Sequence, residues 1–181
     1  FDSERLRFRA FNAEVDVPIF QQWWKDPEIM QYQTPNSIRL FQEETTEERF
    51  KSWFRDDDSA VGFVMVLKET EEPIGFINLW GIKPKNQNAE LGILIGRKDL
   101  WGQGLGKESL RLMLHYAFSE LNLHRVTLHV FSTNERAIRA YQSVGFVEEG
   151  RLREEIYRAG RWIDSVVMGI LKHEYLEQNP L

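Results

Sequence analysis

Apolar positions recur along this chain with two different periods. Between Glu4 and Phe11, Leu6, Phe8 and then Ala10 or Phe11 alternate, which predicts a first strand. From Asp16 to Trp24, Val17, Phe20, Trp23 and Trp24 fall on one helical face. Asp26-Pro27 either ends that helix or opens a second short one. Glu43 to Phe54 predicts another amphipathic helix, with Thr45 or Thr46 as N-cap candidates before an acidic first turn. Val61 to Leu67 and Ile74 to Ile82 read as strands about the turn Glu69 to Pro73. After a polar turn, Lys83 to Asn88, the run Ala89 to Ile95 is a further strand. Glu108 to Phe118 is helical, and Arg125 to Phe131 alternates through Val126, Leu128 and Val130 as a strand. Asn134 to Val144 is a short helix stopped by Gly145. Phe146 to Arg151 or beyond, with Asp164 to Leu171, closes a hairpin around Ala159-Gly160, and His173 to Glu177 offers a last helical turn. Antiparallel strands followed by β-α-β units place the chain in the α/β (α+β) class.

Between the strand ending at Ile95 and the helix at Glu108 lies Trp101-Gly102-Gln103-Gly104-Leu105-Gly106-Lys107. Strand, glycine-rich turn and helix in that order make an anion site, because unpaired amides at a helix N-terminus sit at the positive end of its dipole. The better-known phosphate loops do not fit. A P-loop needs a hydroxyl where Glu108 stands and a glycine where Trp101 stands. A dinucleotide fingerprint begun at Gly102 meets Lys107 at its third glycine, and one begun at Gly104 meets Ser109 there. The alternative is a helix-entry turn that binds nothing.

The chain has 181 residues, 42% hydrophobic and 28% charged, with no repeat or low-complexity linker, so a single domain over 1–181 is expected. It has no cysteine, which removes disulfides, thiol nucleophiles and cysteine-ligated zinc. Four scattered histidines, His115, His124, His129 and His173, show no metal-ligand spacing and read as surface or packing residues, so no metal is expected. A net charge of −5 speaks against nucleic acid as a partner. No apolar stretch reaches membrane-spanning length, and the expected location is cytoplasmic.

Two motifs carry a family resemblance. Trp101-Gly102-Gln103-Gly104-Leu105-Gly106 is similar to the Arg/Gln-x-x-Gly-x-Gly/Ala signature of the GNAT N-acetyltransferase superfamily, with Trp101 at the Arg/Gln position. Asn134-Glu135-Arg136-Ala137, then Tyr141 and Gly145-Phe146, is similar to the second element of that family. Element order agrees over essentially the whole chain. The resemblance is strongest to the branch of ribosomal-protein N-terminal acetyltransferases and spermidine acetyltransferases. Ser3-Glu4-Arg5-Leu6, Trp24 through Met30 and Glu154 through Met168 share in it.

This resemblance implies the GNAT fold, a mixed central sheet of about seven strands with helices on both faces. It implies acetyl-CoA as co-substrate, held by Trp101, Gly102, Gln103, Gly104, Leu105, Gly106 and Lys107 mainly through main-chain amides. Leu94 and Ile95 would present main-chain groups to the pantetheine arm as to an added strand, and Asn134 and Ala137 would complete the site. Asn134 is equally a helix cap. It implies direct attack of an amine on the thioester, with Tyr141 as general acid at the sulfur and Glu90 as general base or water relay. The alternatives are a Tyr141 that packs against Phe146 and a Glu90 that pairs with a basic neighbour.

The resemblance implies a primary amine as acceptor. Acidic clusters at Glu43-Glu44, Glu47-Glu48 and Asp56-Asp57-Asp58 would draw a polycation, or form solvated helix faces. Tyr32, Trp80 and Trp162 are candidates to line an amphipathic pocket. A small polyamine-like amine is the expected acceptor. A peptide N-terminus, an aminoglycoside and a non-catalytic acyl-CoA-binding role are the alternatives. A homodimer or larger homo-oligomer is in keeping with the resemblance.

Overall fold

The computed structural model describes residues 1–36, 43–54 and 57–179. Among the described residues seven strands form one sheet: β1 (Leu6–Arg9), β2 (Ala60–Leu67), β3 (Pro73–Lys83), β4 (Asn88–Ile95), β5 (Arg125–Phe131), β6 (Val147–Arg158) and β7 (Arg161–Leu171). Their order is β1-β2-β3-β4-β5-β7-β6. Every pairing is antiparallel except β4 with β5. The helices are α1 (Ala13–Lys25), α2 (Pro27–Met30), α3 (Glu43–Trp53), α4 (Leu105–Ser119), α5 (Glu135–Gln142) and α6 (Lys172–Gln178).

Strand alternation sorts the core onto two faces. Ala89 and Leu91 of β4 join Leu110, Met113, Leu114, Ala117 and Phe118 of α4 in one cluster. Leu94 points the other way and joins Phe20, Trp23 and Trp24 of α1 with Phe50 of α3 and Phe76 of β3. The chain thus needs helices on both sides of the sheet.

One irregularity positions the site. The parallel pairing of β4 and β5 covers only Asn88↔Arg125, Ala89↔Val126 and Glu90↔Thr127. Past Glu90, β4 stays paired with β3 up to Ile95, and β5 stays paired with β7 up to Phe131. The two strands part in the middle of the sheet and leave facing backbone edges without each other. Such edges are open to a ligand.

Local details depart from the periodicity. Helix α1 begins at Ala13, ahead of Asp16, because Asn12 Oδ1 caps it by accepting from the Glu14 amide at 3.1 Å. Asp16 is fully buried and takes three hydrogen bonds, from Arg9 Nη1 (2.8 Å), Arg9 Nη2 (2.6 Å) and the Asn12 amide (2.8 Å). A carboxylate so satisfied can sit inside. Asp26 opens α2 by accepting from the Glu28 and Ile29 amides. Thr45 and Thr46 do not cap α3; they lie inside it, and Thr46 is buried. Strand β6 runs on to Arg158, its register shifting between Leu152 and Ile156.

Candidate active site

The glycine loop folds as its composition requires. Gly102 and Gly104 have φ of 78° and 82°, a region closed to most side chains. Gly104 is the N-cap of α4 and supplies no side chain to the first turn. The first intrahelical bond runs from the Glu108 amide to the Gly104 carbonyl at 3.1 Å. The amides of Leu105, Gly106 and Lys107 are therefore left as donors at the positive end of a four-turn helix. They border a cavity of ≈ 390 Å³ that fills the gap between β4 and β5.

Most of the expected residues meet there. Leu94, Ile95, Trp101, Gly102, Gly104, Leu105, Gly106, Lys107, Asn134, Ala137 and Tyr141 all line this cavity. Gln103 does not. Its side chain turns back to the Asp99 carbonyl (2.8 Å), and its own carbonyl accepts from Arg5 Nη1 (3.0 Å). Glu90 does not line it either, because it sits where β4 and β5 are still paired, below the opening.

Trp101 is anchored. Its Nε1 donates to the Ile95 carbonyl at 2.9 Å, tying the loop to the end of β4. The Arg136 guanidinium stacks 3.8 Å above the indole and also lines the cavity. A cation thus reaches this wall from α5 while an indole holds the loop position. Partial burial pulls the Arg136 guanidinium below its ordinary value, with Tyr32 and Glu28 acting the other way. Sequence reasoning missed Arg136, although it lies inside Asn134-Glu135-Arg136-Ala137.

Asn134 does cap α5, its Oδ1 accepting from the Ala137 amide at 3.3 Å. It still faces the cavity. Tyr141 likewise serves both expectations. Its ring meets Phe146 edge-on at 5.8 Å, and it lines the cavity. Burial pushes its phenol up to about 12. His129, set aside by spacing alone, lines the cavity from β5 and is exposed, and its side chain makes no hydrogen bond or ion pair among the described residues. Its signal was the strand alternation that puts Val126, Leu128 and Val130 in the core and Thr127 and His129 on the opposite face.

A second cavity of ≈ 650 Å³ adjoins the first and shares Gln33, Trp80 and Gly92 with it. Trp80 lies across Gly92. A Cβ at Gly92 would meet the indole at 2.5 Å, so the absent side chain is what seats the ring. Trp24, Trp53 and Phe76 are further aromatic walls, and Gln33, Asn36 and Asn78 bring amides. Of the expected acidic clusters, Glu47, Glu48, Asp57 and Asp58 line neither cavity, and Glu47 pairs with Lys51 at 2.5 Å. The side chains of Glu43 and Glu44, and Asp56, lie outside the described residues. Tyr32 lines the first cavity. Trp162 lines neither; it is exposed on the β6–β7 hairpin beside Tyr157. Among the described residues there is no cluster of potential metal ligands, and no helix is long and apolar enough to cross a membrane.

A parted sheet, a helix N-terminus aimed into the opening and a buried phenol beside it define an acyl-transfer site of the N-acetyltransferase class. Comparison with known proteins agrees. The family model of the acetyltransferase (GNAT) domain matches residues 5–147, and the chain belongs to that family. An uncharacterized N-acetyltransferase of Bacillus licheniformis is 32% identical over 176 residues, 96% of each chain. The spermidine N(1)-acetyltransferase of Vibrio cholerae is 38% identical over 122 residues, 67% of this chain and 70% of its own. The crystal structure of the Vibrio cholerae spermidine N-acetyltransferase with CoA and spermine superposes with a TM-score of 0.84 at 29% identity, covering 96% of this chain and 99% of that one.

Proposed function

We propose that this protein moves the acetyl group of acetyl-CoA to a primary amine of a small polyamine-like acceptor, by direct attack and without a covalent enzyme intermediate. One observation carries the reading: two cavities of different chemistry meet at Trp80 and Gly92. The first suits the donor. Its diphosphate matches the free amides of Leu105, Gly106 and Lys107, and its pantetheine arm matches the parted edges of β4 and β5. The second suits an alkylammonium chain through the faces of Trp24, Trp53, Trp80 and Phe76, which attract cations and cover methylenes, and the one charged residue among its described walls is Arg49. The polyamine substrates of its relatives point the same way.

The ammonium must first lose a proton, because its pKa is about 10. His129 is the acceptor we assign, being the exposed imidazole on the cavity wall. The nitrogen lone pair then attacks the thioester carbonyl, and the C–S bond breaks as the oxyanion collapses. Tyr141 is the residue we assign to the sulfur. At about 12 its phenol keeps its proton throughout the neutral range. It is a weaker acid than a thiol, so it stabilises the departing thiolate by donating a hydrogen bond. The proton released from the attacking nitrogen completes the thiol.

The test is a thiol-release assay with acetyl-CoA and a panel of acceptors: spermidine, spermine, an aminoglycoside, and peptides starting with Ser or Ala. Turnover of the polyamines alone is the expected result. Turnover of the peptides alone would replace the acceptor class. Tight acetyl-CoA binding with no turnover would replace the enzyme by an acyl-CoA-binding protein.

A further inference from the structure

We propose that Arg5, which lines neither cavity, is a positioning residue for the acetyl donor: it latches the glycine loop and neutralises Glu108 at the amides that receive the donor's diphosphate.

Glu108 lies in the first turn of α4, one residue beyond Lys107. With no ligand bound, a carboxylate there is favoured by the helix dipole. A diphosphate arriving at the same amides meets it as a like charge at close range. The fold answers this with a fork from the flank of β1. Arg5 Nε and Nη2 reach Glu108 Oε2 at 2.8 and 2.7 Å. The Arg5 amide and Ser3 Oγ both donate to Oε1 at 2.7 Å. Burial tends to raise the Glu108 pKa, and these hydrogen bonds together outweigh it and hold the carboxyl below its ordinary range.

The remaining arm of the guanidinium engages the loop itself. Arg5 Nη1 donates to the Gln103 carbonyl at 3.0 Å. A Cβ at Gly104 would lie 3.6 Å from Nη2, so the guanidinium rests against the loop at the residue that starts the helix. One planar side chain thus fixes the carbonyl before the helix and the carboxylate one turn into it. A lysine carries the charge without this fork.

The proposal rests on the reading that acetyl-CoA places its diphosphate on this loop. S-acetylpantetheine keeps the thioester and lacks the diphosphate, so it separates the two claims. For Arg5→Gln, the KM for acetyl-CoA should rise about tenfold with kcat within about twofold, and the KM for S-acetylpantetheine should not move. Arg5→Lys, which keeps the cation opposite Glu108, should fall between wild type and Arg5→Gln. An unchanged KM for acetyl-CoA in Arg5→Gln would overturn the proposal. So would an equal rise for both donors, or a loss confined to kcat. A wild-type enzyme that uses S-acetylpantetheine as well as acetyl-CoA would instead overturn the diphosphate reading on which it stands.

Discussion

The two cavities are built in opposite ways. The first cavity takes most of its lining from three stretches, 91–95, 100–107 apart from Gln103, and 134–141, where much of what is offered is backbone, and residues of α2, the segment after it, β3, α4 and β5 complete it. The acceptor cavity is assembled from side chains scattered over α1, the segment after α2, α3, β3 and β4. A diphosphate is recognised by amides whose direction follows from glycines and a helix start, so its site is compact in sequence. An amine chain is recognised by aromatic faces and amide groups, and any element that reaches the cavity can supply them. The division separates recognition by backbone amides from recognition by side chains within one fold.

The largest expected effect tests where the two cavities join chemically. Tyr141→Phe should lower kcat about 100-fold while leaving acetyl-CoA binding within about twofold, measured by single-turnover thiol release and by titration. An equal loss in binding would make the tyrosine a packing residue of the donor cavity. The same phenol gives a pH signature. Its pKa is raised in the folded state, so its contribution to stability is complete below pH 10 and is lost as pH rises to about 12. Tyr141→Phe should flatten that part of an alkaline denaturation curve.

Next comes the proton acceptor. His129→Gln should cost about 10- to 100-fold in kcat/KM, with the KM for acetyl-CoA within about twofold. Groups on its own sheet face, Glu90, Arg125 and Glu149, stay in place, with Arg125 and Glu149 paired to each other. Glu90→Gln should change kcat/KM by less than about threefold. The reverse ranking would return the base to Glu90 through water.

An effect of about tenfold, on KM alone, sharpens the boundary itself. Trp80→Ala opens the wall between the cavities and should raise the polyamine KM about tenfold, with the acetyl-CoA KM nearly unchanged. Equal changes in both would show that the indole supports the two cavities alike rather than the acceptor side.

Much of this was legible in advance. The seven strands, the glycine loop, and the places of Tyr141, Asn134 and Ala137 follow from apolar period and short motifs, which are local properties. The errors have local causes too. Asn12 and the Arg9–Asp16 pair start α1 earlier than its apolar stripe suggests. Thr45 and Thr46 look like caps, yet α3 already runs through them.

Other features have no local signature. Arg5 and Glu108 are far apart in the chain and meet because α4 crosses the sheet toward β1. Arg136 reaches the indole of Trp101 only once α5 packs beside the loop. Glu90 and His129 lie on neighbouring strands and on the same face, and only the point where β4 and β5 part decides which one faces the opening. By itself the sequence determined the class of fold and the glycine loop that opens α4, because backbone conformation answers to glycines, caps and periodicity nearby. Tertiary structure alone decided which side chains share a cavity, because contact between distant residues depends on strand order, register and the line along which two strands separate.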